Sequence, residues 1–191
     1  MTDNRRKKES LTFEELQKVF NCCDTLENLT LIKLAVTTGI RREDLHNIEL
    51  MNVDLERRII NFWEEKKDRM WTVALEPDVV QTLTMYIATI PKKQRYLFDF
   101  TGRTGYNRFQ KILKKAEITK HLEFHALRRT FIRLSRRMGR DIRFVMDQTG
   151  DQARTLLEEY EGYTIDEMVE LLDKDGIITR AELTKLQTKD L

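Results

Sequence analysis

The hydrophobic pattern of this chain changes its period in one stretch, residues 53–75. Elsewhere, apolar residues recur every three or four positions, which is typical of amphipathic helices. Between 53 and 75, β-branched and aromatic residues instead flank the polar segment 64–69. This stretch predicts a β-hairpin or a small three-stranded sheet, formed by Ile59, Ile60, Phe62, Trp63, Trp71 and Val73. The expected fold class is therefore mostly α with a small antiparallel β-sheet, that is α+β.

The helical pattern continues on both sides of this sheet. Thr12 and Glu15 form a capping box that opens the first helix. Further helices are predicted at about 26–36, 41–48, 79–90, 104–116, 125–138, 141–149, 152–160, 165–173 and 179–187. A chain of 191 residues with two prolines fits one domain of ordinary size. The expected organisation is a basic N-terminal tail at 1–11, a main domain at 12–164 and a helical C-terminal tail at 165–191 that could dock in cis or in trans.

The charges are unevenly distributed, although the formal net charge is only +2. Residues 102–143 contain 13 Lys and Arg against three acidic residues, whereas residues 150–191 contain five basic and 11 acidic ones. So small a net charge is unusual for a dedicated nucleic-acid-binding domain. The basic middle nevertheless fits a surface that faces a polyanion, and solvated helix faces are the alternative.

The sequence also indicates in which compartment of the cell the chain is expected. No apolar run approaches the roughly 18 to 20 residues that span a bilayer, and no apolar stretch follows the basic segment 1–10 as in a secretory signal. We therefore expect a cytoplasmic protein without a membrane partner. Cys22 and Cys23 are adjacent, a spacing that fits neither a disulfide framework nor a C-x-x-C pair and favours two thiols at the edge of the core.

Two groups of possible metal ligands lack the rest of a site. His121 and His125 are four residues apart, but no H-E-x-x-H pattern or nearby cysteine completes a zinc set. Residues 173–178 with Glu182 imitate part of an EF-hand loop, yet Leu171 stands where the first calcium ligand is needed. We therefore expect a turn between helices there, and no metal site in the chain.

Two segments place arginine residues at the start of a predicted helix. In the first, at 38–45, Arg41 follows a glycine turn and Asp44 lies three residues further on. In the second, His125 and Arg128 are three residues apart on one helical face. Guanidinium groups bind phosphoryl oxygens in pairs and stay charged at any working pH. Two converging arginines, an imidazole, a hairpin lysine and a tyrosine would therefore form a phosphate-cleaving site without a metal.

These segments, in this order, resemble the catalytic domain of the tyrosine recombinases, the phage integrase family. That family carries a T-G-x-R-x-x-E-L box, a β-hairpin lysine, an H-x-L-R box, an L-G-H box and a nucleophilic tyrosine nine residues beyond the His or Trp of that last box. Here the first box is 38–45 with Asp44 in place of Glu, and the second is 125–128. The last box is present only as 148–151, with Asp151 in place of the His or Trp.

The resemblance covers about residues 11–165 and implies the roles of the phosphate-binding residues. Arg41 and Arg128 would hold the non-bridging oxygens of the scissile phosphate, and His125 would assist proton transfer. Asp151 would occupy the position that supports the pentacovalent phosphate, and this position departs from the family pattern.

The resemblance also implies a proton donor and a nucleophile. Aligning the segment after the hairpin with the family's V-P-L makes Lys66 the residue that protonates the departing 5′-oxygen, with the adjacent Lys67 as the alternative. The nine-residue spacing makes Tyr160 the nucleophile. Tyr163 stays open as the second candidate, because the two rings lie on one face if a helix runs through both.

The function implied by the resemblance is that of a site-specific DNA recombinase or integrase, which cuts and rejoins strands through a 3′-phosphotyrosyl intermediate without metal, ATP or any other cofactor. Its implied partners are double-stranded DNA and further copies of itself in a tetrameric synapse. A DNA-binding regulator that does not cleave and a type IB topoisomerase are the alternatives. On the helix after the second box, Phe131, Ile132 and Leu134 are expected to face the core, and Arg129, Arg133, Arg136 and Arg137 to face DNA.

Overall fold

The computed structural model describes residues 9–152 and the single positions Ile165 and Val169. Within 9–152 lie seven α-helices, and none of the described helices is long and apolar enough to cross a membrane. The helices are α1 (Phe13–Asn21), α2 (Leu26–Thr38), α3 (Arg42–Leu45), α4 (Pro77–Ile87), α5 (Gly102–Lys115), α6 (Ala126–Arg137) and α7 (Ile142–Thr149). The strands are β1 (Val53–Asp54), β2 (Ile59–Glu64) and β3 (Arg69–Ala74), and short 3₁₀ helices lie at Leu50–Asn52 and Glu65–Lys67.

Helix α2 lies at the centre of the core. Its residues Leu31, Ile32, Leu34 and Ala35 are all buried, and it contacts α1, α4 and α6. A helix that is apolar on every side has to be covered by other elements, which explains this central position. The C-terminal end of α2, with the buried Thr38, therefore lies inside the domain.

The three strands form one antiparallel sheet in the order β1-β2-β3, with Phe62 opposite Trp71. In β2 the alternate residues Ile60, Phe62 and Glu64 are buried. Because successive side chains of a strand point to opposite faces, the strand that buries Ile60 and Phe62 also turns Glu64 inward. The sheet thus presents a carboxylate to the interior of the domain.

Helix α7 is joined to the sheet through one side chain. The amide oxygen of Gln148 accepts a hydrogen bond from the Ala74 N–H at 3.1 Å, and its amide nitrogen donates to the Ala74 carbonyl at 2.5 Å. Gln148 therefore binds the edge of β3 as another strand would. This contact places the C-terminal end of α7 beside the hairpin.

The fold class expected from the sequence is confirmed: the described part is mostly helical with a small three-stranded antiparallel sheet. Phe131, Ile132 and Leu134 are buried as expected. Cys22 and Cys23 are half-buried and pack against the core, as expected for thiols at its edge.

One predicted helix, at 41–48, is much shorter in the structure. Helix α3 ends at Leu45, because the next residues pair with a distant segment. The Leu97 N–H donates to the Ile48 carbonyl at 2.8 Å, and Glu49 forms a β-bridge with Tyr96. Tertiary pairing thus replaces the last turns that the sequence predicts.

The predicted tail at 1–11 includes residues that belong to the core. Ser10 and Leu11 are buried, and the Leu11 N–H donates to the Thr130 hydroxyl of α6 at 2.9 Å. The main domain therefore includes residues 10 and 11. The chain divides into two compact units, 1–159 and 160–191. Apart from residues 152, 165 and 169, the helices predicted from 152 onward lie outside the described residues, and so do the turn predicted at 173–178 and both candidate tyrosines.

Candidate active site

Arg41 is positioned by the turn that ends α2. Gly39 adopts a left-handed conformation with φ of 69°, and a side chain there would lie 2.9 Å from Phe131 and 3.0 Å from Thr149. Only glycine fits this turn, since both its φ and the close approach of α6 and α7 exclude a Cβ. Arg41 then stands at the N-terminal cap of α3, with its side chain 15% exposed.

Glu64, at the end of β2, holds one side of the Arg41 guanidinium. Its carboxylate accepts hydrogen bonds from Arg41 Nη1 and, at 2.8 Å, from Arg69 Nε. Burial raises the pKa of Glu64, but the hydrogen bonds from Arg69 and Arg41 and the nearby charges of Lys67 and Arg41 together lower it, so that the pKa lies below its usual value. A buried, charged carboxylate therefore fixes the orientation of Arg41.

Arg128, on the first turn of α6, is almost completely buried. Its Nη1 donates to the Gly39 carbonyl and its Nη2 donates to the Thr149 carbonyl at 2.8 Å. Burial lowers the pKa of Arg128, but an arginine titrates so far above neutrality that it stays charged. Arg128 thus joins the ends of α2 and α7 and carries a positive charge at their meeting point.

Asp151 connects the two arginines. Its Oδ1 lies 2.6 Å from Arg41 Nη2, and its Oδ2 lies 2.6 Å from Arg128 Nη2 and 3.2 Å from Arg128 Nε. The sequence predicts that Arg41, Arg128 and Asp151 share one site, and the structure brings them into direct contact although they come from three distant segments.

The structure places the two candidate lysines differently. Lys67 donates to the Gly150 carbonyl, and its Nζ lies 3.7 Å from Glu64 Oε1. Burial lowers the pKa of the Lys67 ammonium, although the nearby Glu64 opposes this. The side chain of Lys66 is exposed. Of these two neighbours, Lys67 is the one that the hairpin brings to Glu64.

His125 occupies the position before α6 and is exposed. It lines a surface cavity together with Arg42, Glu43, Tyr106, Glu123 and Phe124. The imidazole is therefore accessible at the N-terminus of α6, the helix whose first turn carries the buried Arg128.

The four arginines predicted to face DNA fall into two groups. Arg129 Nε donates to the Glu9 carbonyl at 3.0 Å, and Arg133 Nη1 donates to the Ser10 hydroxyl at 3.2 Å. These two side chains hold the N-terminal segment against α6. Arg136 is half-buried and Arg137 is exposed at the C-terminal end of that helix.

The geometry includes two residues that the sequence analysis did not assign to the site, Glu64 and Arg69. The available signal for Glu64 was its position two and four residues after Phe62 and Ile60, which places all three on one face of a strand. Arg69 lies over the Trp71 ring, with its Cζ 3.9 Å from the ring centroid, and its Nη2 donates to the Gly150 carbonyl at 3.3 Å. Only the pairing of β2 with β3 shows that it belongs there.

Asp44, the acid of the first box, does not contact Arg41 through any hydrogen bond of the described structure. It is buried and accepts a hydrogen bond from the Glu65 N–H at 3.2 Å. Burial raises the pKa of Asp44, although that hydrogen bond and Arg41 oppose the change. Asp44 therefore anchors the start of the hairpin turn.

Among residues 9–152, 165 and 169, no group of three His, Cys, Asp or Glu side chains could hold a metal ion. His121 and His125 are both exposed. What the site offers instead is a pair of guanidinium groups and a lysine ammonium around the ends of α2 and α7, with the His125 imidazole exposed just before α6. Such a set of donors binds an oxyanion, and a phosphate group in particular.

Comparison with known proteins shows the family of the chain. The chain matches the phage integrase family over residues 9–162, and it belongs to that family. It is 27% identical over 165 residues to the tyrosine recombinase XerA of Saccharolobus solfataricus, which covers 85% of this chain and 56% of that relative. XerA of Pyrococcus horikoshii is 23% identical over 180 residues, covering 88% of this chain and 62% of the relative.

Solved structures show the same fold. A crystal structure of XerA recombinase matches with a TM-score of 0.78 at 24% identity, covering 88% of this chain and 65% of the other. The XerH recombinase bound to a difH substrate in a pre-cleavage complex matches with a TM-score of 0.71 at 22% identity, covering 86% of this chain and 54% of the other. The chain thus spans between about half and two thirds of these proteins.

Proposed function

We propose that this chain is the catalytic part of a site-specific DNA recombinase that cuts and rejoins strands through a 3′-phosphotyrosyl intermediate. The observation that carries the proposal is the convergence of Arg41 and Arg128 on one carboxylate in a chain of the phage integrase family. Glu64 binds the guanidinium group of Arg41, and the Gly39 and Thr149 carbonyls accept hydrogen bonds from that of Arg128. Both groups are therefore oriented before any ligand binds.

The proposed reaction needs only groups of the protein and the DNA. A tyrosine hydroxyl, losing its proton with the assistance proposed for His125, attacks the scissile phosphorus, which forms a P–O bond to the tyrosine and breaks the bond to the 5′-oxygen. Arg41 and Arg128 neutralise the charge that accumulates on the non-bridging oxygens, and a lysine gives its proton to the departing 5′-oxygen. Because the phosphotyrosyl bond retains the phosphodiester energy, religation reverses the same step without ATP.

We propose Lys67 as the proton donor, and Lys66, the residue that the family spacing favours, as the alternative. The position of Lys67 beside Glu64 and Gly150 supports this choice. A lysine whose pKa is lowered by burial also transfers a proton more readily near neutral pH. His125 is accessible beside the first turn of α6 and is proposed to assist in proton transfer.

The two lysines can be separated with a substrate whose 5′-bridging oxygen is replaced by sulfur. A thiolate leaves without needing a proton, so this substrate removes the requirement for the donor. We expect Lys67→Ala to slow cleavage of the ordinary duplex by about 10²–10⁴-fold and to cleave the sulfur substrate at nearly the unsubstituted rate. Lys66→Ala, the matched control, is expected to cleave both substrates. If instead Lys66→Ala is slow on the ordinary duplex and the sulfur substrate restores its rate, Lys66 is the proton donor.

The proposed partner is double-stranded DNA, contacted by the exposed end of α6. Arg136 and Arg137 stand there, whereas Arg129 and Arg133 hold the N-terminal segment. The double substitution Arg136→Ala and Arg137→Ala is expected to reduce the slope of log affinity against log salt by about one unit for each phosphate that the protein no longer neutralises. Fluorescence anisotropy with a labelled duplex, at salt concentrations from low to moderate, measures this slope. An unchanged slope would show that this end of α6 faces solvent and does not contact DNA.

Self-association on DNA is part of the proposal. One solved structure of the same fold is a lambda integrase dimer bound to a COC′ core site. We propose that copies of this chain assemble on DNA as a tetrameric synapse. The cytoplasmic localisation expected from the sequence stays a prediction.

The experiment that tests the function is the capture of the covalent intermediate. The protein is incubated with a nicked suicide duplex, with and without a chelator, and run on a denaturing gel. We expect a labelled protein–DNA band that resists the chelator. Binding without any adduct would favour a second candidate, a regulator that keeps the fold without cleaving, which is suggested by Asp151 standing between the two arginines.

A further inference from the structure

The carboxylate of Asp151 lies where an oxyanion would bind. Its two oxygens each lie 2.6 Å from a guanidinium nitrogen, one from Arg41 and one from Arg128, and its side chain is only 10% exposed. It thus bridges the two residues proposed to hold the scissile phosphate.

Asp151 and the orienting contacts use different nitrogens except for Arg128 Nη2, whose two hydrogens serve the Thr149 carbonyl and Asp151 separately. Arg41 Nη1 is bound to Glu64, and Arg128 Nη1 is bound to the Gly39 carbonyl. Asp151 is bound by Arg41 Nη2 and by Arg128 Nε and Nη2. The contacts that orient the guanidinium groups would therefore survive if another anion replaced the carboxylate.

A carboxylate and a phosphodiester present similar groups to such a pair. Each carries one negative charge shared by two oxygens on a single atom, and arginine binds both in the same forked manner. An ionised carboxylate also has no proton to donate, so it cannot give the phosphate a hydrogen bond as an imidazole or an indole would. Asp151 is therefore suited to compete with the phosphate and not to support it.

We propose that, without DNA, the Asp151 carboxylate occupies the position between Arg41 and Arg128 where the scissile phosphate would bind. The scissile phosphodiester displaces this carboxylate when DNA binds. This inference rests on the proposed function for the identity of the phosphate. In the absence of DNA, the Asp151 carboxylate gives each of the two arginines an anionic partner. It also lowers the affinity for the phosphate, since every binding event first breaks two ion pairs.

The test uses inorganic phosphate as the probe and thermal unfolding as the readout, at constant ionic strength. A ligand at concentration c that binds only the folded state stabilises it by RT ln(1 + c/Kd), so at one phosphate concentration tighter binding gives a larger rise of the melting temperature. We expect Asp151→Asn to bind phosphate at least tenfold more tightly than the unsubstituted protein. Asp151→Glu, which keeps the carboxylate, is expected to bind it weakly. Asp147→Asn removes an exposed charge from α7, four residues before Asp151, and is the matched control, with unchanged affinity.

The site of the effect is checked by adding Arg128→Lys to Asp151→Asn, which is expected to abolish the gain. Equal phosphate affinity in Asp151→Asn and the unsubstituted protein would overturn the proposal. An Asp151→Asn protein that stays unfolded at every phosphate concentration would also overturn it, because Asp151 would then be a bridge that phosphate does not replace. If Asp151→Asn gains phosphate affinity while no variant forms an adduct with DNA, the proposed function fails and this inference stands.

Discussion

Tyr160→Phe is expected to abolish the covalent protein–DNA band completely. The substitution keeps the ring and removes only the oxygen that would attack the phosphorus, so binding to DNA should be retained. Denaturing gels with a labelled suicide duplex measure the adduct, and anisotropy with the same duplex measures binding. The expected result is therefore a loss of chemistry without a loss of affinity.

Tyr163→Phe is the matched control, because it removes the same atom three residues further on. It is expected to form the adduct at nearly the unsubstituted rate. If Tyr160→Phe still forms the band and Tyr163→Phe does not, Tyr163 is the nucleophile. If both variants form it, neither residue is by itself required for the covalent link, and the assignment of the nucleophile to Tyr160 is wrong.

Arg128→Lys is expected to slow adduct formation by about 10²–10³-fold, the usual cost of removing one donor to a developing oxyanion. Lysine keeps the positive charge beside Asp151 but lacks the planar fork that binds Gly39, Thr149 and an anion together. Lysine is preferable to alanine here, because an alanine would remove the positive charge and leave the Gly39 and Thr149 carbonyls without their donor, with only Arg41 still bound to Asp151. Single-turnover cleavage measures the rate, and thermal unfolding monitors the fold.

Arg57→Lys is the control for this change, because Arg57 is exposed at the turn before β2. It is expected to leave the cleavage rate and the melting temperature unchanged. Cleavage by Arg128→Lys at the unsubstituted rate would show that the forked guanidinium at this position is not needed in the transition state. The role of Arg128 would then be limited to joining α2 and α7.

Local features of the chain were sufficient to predict most of the described fold. The capping box at Thr12 and Glu15 is present as expected, because it depends on atoms three residues apart. The change of period at 53–75 gives the sheet, since alternation and helical spacing place apolar side chains on different faces. The exception at 46–48 depends on a partner segment near residue 97, which no local pattern contains.

The candidate site was predictable in part. The spacing of the two boxes names Arg41 and Arg128, and the structure brings them together on Asp151. Spacing also favours Lys66, yet the hairpin turn exposes Lys66 and brings Lys67 to Glu64. The choice between adjacent residues depends on the geometry of a turn, which alignment by residue count does not contain.

The sequence by itself determined the fold class, the boxes and the family that they resemble, because these depend on periodicity and on short fixed spacings. Only the tertiary structure decided how the charges are paired. The contacts of the charged groups join residues at least 23 positions apart. Glu64 binds Arg41, Asp151 binds both Arg41 and Arg128, and Arg129 and Arg133 bind the N-terminal segment. Ion pairs and hydrogen bonds depend on distance in space, so their partners are set only when folding brings these distant segments together.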